Sequence, residues 1–66
     1  MRENLDVLHH LIKKLDAERE RLTSVLGQGL AQDHADYRFQ CGVIRGLSIA
    51  VGMLADTAER LEDYDE

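Results

Sequence analysis

The sequence predicts an all-α chain folded as an antiparallel two-helix hairpin, and three observations predict it. Apolar residues recur at steps of three and four along two long stretches. Gly27, Gln28 and Gly29 break the pattern between them, supplying residues that tolerate left-handed backbone angles at a helix end. Proline and tryptophan are absent, so nothing interrupts a long helix and little favours a β-rich core. The 66 residues are expected to form one unit: helix 1 over about 4–27, a turn over about 28–33 and helix 2 over about 34–63.

Helix 1 starts from Asn4 as its expected N-cap. Its stripe runs through Leu5, Leu8, Ile12, Leu15, Arg19, Leu22 and Leu26. Val7, Leu11 and Val25 are expected to widen that stripe, while Asp6, His9, Lys13, Glu20 and Arg21 take the opposite face. In helix 2, Asp33 is placed as N-cap. Asp36 stands three residues on, where it completes a capping box and puts negative charge at the positive end of the helix dipole. The face of helix 2 turned to helix 1 is expected to carry Tyr37, Gln40, Ile44, Leu47, Val51, Leu54, Ala58 and Leu61. Pairing about the turn sets Leu15 against Gly46 and Leu47, Leu8 against Leu54, and Arg19 against Gly42. It also leaves an acidic end, Glu62 to Glu66, projecting past the start of helix 1.

Helix 2 carries more apolar surface than one partner helix needs. Phe39, Gly42, Val43, Gly46, Ile49, Ala50 and Met53 centre roughly 120° from the first face, so helix 2 is expected to bury two sides. Gly42, Gly46 and Ala50 form a small-xxx-small ladder that lets helix axes approach closely. Each interior glycine weakens a helix by about 1 kcal/mol relative to alanine, so the ladder implies a contact. The plainer alternative is that the small residues let helix 1 pack tightly within one chain. A chain this short buries only about 60% of its unfolded surface, and Cys41 is its single cysteine, so no internal disulfide stabilises it. Completion by oligomerisation or by docking on a partner is the remaining route.

The formal net charge of −5 weighs against a general grip on nucleic acid. Asp6 falls where a signal peptide would need an apolar run. The Gly42 to Leu54 stretch is shorter than the roughly 20 residues of a membrane span and contains Arg45, so no membrane partner is expected. Catalytic, cofactor and metal sites are not expected either. His9 and His10 point about 100° apart and have no third ligand. Arg38 and Arg45 flank Cys41, which biases it toward thiolate, but no histidine stands at helical spacing as a base. The Gly27 and Gly29 turn follows a helix and lacks the strand and lysine of a phosphate-binding loop.

The string Ala31-Gln32-Asp33-His34-Ala35-Asp36-Tyr37-Arg38, followed by Cys41-Gly42-Val43-Ile44-Arg45-Gly46-Leu47, resembles small helical proteins encoded by tailed bacteriophages among their virion assembly genes. The resemblance implies a structural or assembly accessory role rather than catalysis, carried in the virion or the host cytoplasm. On that expectation, the Phe39 to Met53 face docks on a capsid, portal or neck protein or on the chain itself. Two further classes are kept beside it. One is a small homodimeric four-helix-bundle regulator binding a host protein or RNA, which a basic stripe of Arg38, Arg45 and Arg60 would favour, although Asp56, Glu59 and Asp63 dilute it. The other is an acidic mimic of nucleic acid, for which only the C-terminal carboxylates come near.

Overall fold

The computed structural model describes the backbone of residues 2–29 and 31–65 and the side chains of residues 3–29 and 31–63. Two helices fill it: α1, Arg2–Gly27, and α2, His34–Asp65. They pack against each other as a helical hairpin, its Cα trace extending 50 × 14 × 12 Å. The helix rise of 1.5 Å per residue makes α2 alone about 48 Å long, so α1 lies beside it over most of its length.

Local chemistry sets the helix ends. At the end of α1, Gln28 N–H donates to the Ser24 and Val25 carbonyls and Gly29 N–H to Leu26. Gly29 takes φ 75°, the left-handed angle that glycine adopts without a Cβ clash. At the start of α2, the Asp36 N–H donates to Asp33 Oδ1 at 2.8 Å, the N-cap bond. The return bond differs from an ordinary capping box: Asp36 Oδ2 accepts from the Gln32 N–H at 3.0 Å, one residue before the cap, and from the Gln40 side-chain amide at 3.0 Å. Helix α1 begins before Asn4, which is exposed within it rather than capping it. Arg2 and Glu3 are good helix formers, and Glu3 in the first turn meets the positive end of the dipole.

The seam between the helices is a single layer. Leu5, Leu8, Ile12, Leu15, Leu22 and Leu26 of α1 are half-buried, as are Ile44, Leu47, Val51, Leu54 and Leu61 of α2. Ala58, 3% exposed, is the one buried side chain among the described residues, and none is fully enclosed. Tyr37 does not join the seam. It is exposed and stacks on His34 with ring centroids 6.4 Å apart, lying about 70° off the seam by helical phase.

The register differs from the expected pairing. Arg19 reaches Ser48 Oγ at 3.3 Å rather than Gly42. His9 Nε2 lies 3.6 Å from Glu62 Oε1, although folding about the turn would have set it near Met53. Part of the offset is side-chain lean: arginine on α1 points toward the start of its own helix, and therefore along α2 toward its end. The rest comes from the connection, which packs on the first turns of α2 through Gln32 and Asp36, so the end of α1 meets α2 further along. Glu62 consequently sits beside α1 and does not project past it. Asp63 follows it, exposed on α2, and the rest of the expected acidic overhang, the Asp65 side chain and Glu66, lies outside the described residues.

Candidate docking surface

Among the described residues, every polar contact between the helices falls on one side of the hairpin. Arg19 donates to Ser48 Oγ and sits 2.7 Å from Asp16 Oδ1. That Asp16 oxygen is shielded from water without a directed hydrogen bond, so the contact is one of charge. Ser48 Oγ in turn donates to the Ile44 carbonyl at 3.0 Å. The His9 and Glu62 pair lies on this same side.

The other side is apolar and uncovered. Phe39 is 71% exposed, Met53 67%, Ile49 51% and Val43 38%. Gly42 and Gly46 are exposed between them, and Ala50 is half-buried at the edge of the seam. A Cβ built on Gly42, Gly46 or Gly52 meets nothing within 4 Å, so α1 does not use the glycines for a close approach. This removes the plainer alternative. The cost of about 1 kcal/mol of helix propensity per glycine is uncompensated inside the hairpin.

Helix α1 contributes to this side in a way the sequence reading missed. Val7 and Leu11, expected to widen the buried stripe, are 65% and 41% exposed. By helical phase they point roughly 60–100° from the seam, toward the same side as Phe39 and Val43. A single partner helix covers only the central arc of α1, so residues at that angle stay wet. The signal was present in their angular offset, but periodicity alone does not tell how wide the neighbour is. Glu18 and Arg21 form an ion pair on this side of α1, giving the patch a charged rim. The Arg21 guanidinium holds the Glu18 carboxyl below its ordinary pKa, and Glu18 raises that of Arg21.

The remaining chemically interesting side chains are scattered. Cys41 is half-buried and free. Its neighbour is Tyr37, whose phenol is held above its ordinary pKa by hydrogen bonding with the thiol. Arg38 and Arg45 are exposed. Arg60 lies 3.3 Å from Asp56, which offsets part of the basic stripe. Among the described residues, no group of three or more histidine, cysteine or acidic side chains is placed to hold a metal ion.

Helix α2 also bears on the expectation about membranes. The Gly42 to Leu54 run is short, but the whole of His34–Asp63 is long and apolar enough to cross a membrane by length and composition, with almost none of its apolar window buried. An interface face left open gives the same composition. Compared with protein families, curated proteins and solved structures, the chain matches none.

Proposed function

We propose that the chain is a non-enzymatic helical-hairpin interaction protein that docks the Phe39 to Met53 face of α2 on another protein, as a structural or assembly accessory. The observation that carries this reading is the pairing of exposed Phe39, Ile49 and Met53 with glycines whose Cβ positions are open. Large apolar side chains grouped on one side, with charged residues at the rim, have the composition of a protein-binding patch. The phage assembly setting comes from the resemblance in the second half of the chain, which makes a capsid, portal or neck protein the expected host surface. Scattered candidate groups support the non-enzymatic part: Cys41 neighbours Tyr37, while His9 sits by Glu62 toward the far end of a 50 Å hairpin.

A photo-crosslinking side chain at Phe39, compared with one at exposed Lys13 on the polar side, tests the reading in the cells that make the protein. Adducts to an identified assembly protein or to the chain itself from Phe39, and not from Lys13, are the expected result. Equal labelling from both positions, no adduct from Phe39, or recovery of the chain in the membrane fraction overturns it.

A further inference from the structure

We infer that the occupant of this face is a second copy of the chain, packed antiparallel along α2 about a two-fold axis at Gly46. The inference rests on the docking reading above and adds the partner and the register. In a two-fold interface, residue i meets residue j and j meets i. For antiparallel helices this holds when residues equidistant from the axis face each other, and the exposed face has that symmetry. Phe39 and Met53 lie seven residues before and after Gly46, Gly42 and Ala50 four, and Val43 and Ile49 three. Phe39 therefore faces Met53 of the second copy, Val43 faces Ile49, Gly42 faces Ala50, and Gly46 faces itself. Large meets large and small meets small, so the backbones approach at the centre while the bulky pairs close the two ends.

The exposed area agrees with this arrangement. The same register brings Arg38 within one turn of Asp56 of the second copy, but it also sets the Arg45 side chains of the two copies within one turn of each other on that flank, so the area and the apolar symmetry carry the argument rather than charge. The surface of the chain is 5286 Å². A compact monomer of 7.5 kDa exposes about 4,200 Å² by the size scaling of folded proteins, so the hairpin carries an excess of about 1,000 Å². A standard interface buries roughly 800 Å² on each partner. One copy of the chain supplies the area that the other lacks.

Sedimentation equilibrium of the purified full-length chain reads the state, and cysteine cross-linking in a Cys41→Ser background reads the register. The expected species has twice the chain mass at micromolar concentration. Met53→Lys weakens it by on the order of a hundredfold, the scale of withdrawing one buried side chain and burying a charge. Circular dichroism checks that this variant stays helical, and Met53→Gln, a milder change, is expected to weaken the dimer in the same direction. Under mild oxidation Gly46→Cys links to itself, while Gly42→Cys and Ala50→Cys link to each other when mixed and far more slowly alone, since a disulfide needs Cα atoms within about 7 Å. Self-linking through Gly42→Cys alone overturns the register. A monomer at every concentration overturns the second copy, and Phe39 adducts to a different protein in cells would then leave the docking reading standing.

Discussion

Asp36 holds the connection to α2 from within the helix: it gives its own N–H to Asp33, and its carboxylate takes the Gln32 N–H and the Gln40 amide. Those bonds favour the ionised form and hold its pKa below the ordinary aspartate value. A lowered folded-state pKa contributes stability that is fully present above the unfolded-state value and is lost as pH falls through the folded one. An NMR titration is therefore expected to place the Asp36 midpoint below the ordinary aspartate range. Gln40→Leu moves it back up by removing one donor, and a midpoint unchanged by that variant would show that the amide does not act on the carboxylate. Asp33→Ala is expected to cost about 1 kcal/mol in thermal or urea unfolding, with Asp33→Asn retaining most of the stability, because asparagine also accepts the N3 bond. Cys41→Ser should leave association intact and lower stability modestly, since the thiol is half-buried beside Tyr37. A loss of function with fold and oligomeric state preserved would return the thiol to consideration.

At the level of the helices, Gly46 separates two roles that one substitution set can read. Nothing in the hairpin stands near its Cβ position, so within a single chain Gly46→Ala gains about 1 kcal/mol of helix propensity. Gly46→Leu also raises intrinsic helicity but blocks close approach of another backbone, so helix content is expected to hold or rise while association falls. Unchanged association for Gly46→Leu would remove the glycine from any contact. The same helices show what the sequence could specify. Gly29 and Asp33 were legible because caps depend on residues within one turn. The leucine seam was legible because a 3.6-residue period is an angular signal. Register was not, since it depends on how Gln32 and Asp36 lay the connection along α2 and on the lean of Arg19 toward Ser48. Tyr37 was misplaced because it stands at the edge of the stripe, about 70° off its centre, where a single neighbouring helix does not cover it. Val7 and Leu11 were misjudged because angular position says where a side chain points and not whether anything stands there.

For the whole molecule, the decisive quantity is how little it encloses. Among the described residues only Ala58 is buried, none is fully enclosed, and the seam is one layer thick. Two half-buried rows of leucine and isoleucine must offset the conformational entropy of two long helices, which leaves a lone 66-residue hairpin marginal. A protein whose folded state is completed by a second copy has a stability tied to its own concentration, because association enters the unfolding equilibrium by mass action. Raising the total concentration a hundredfold adds about 2.7 kcal/mol per dimer, which over the unfolding entropy of two such chains is a shift of about 10 °C in Tm. Circular dichroism melts from low to high micromolar concentration are expected to show that rise for the natural chain. Met53→Lys, which keeps the hairpin seam and weakens only the contact at the outer face, should melt lower and shift less with concentration. A natural chain whose Tm does not move over the same range would mean that the single leucine layer suffices, and that the apolar side of α2 is open for a reason other than folding.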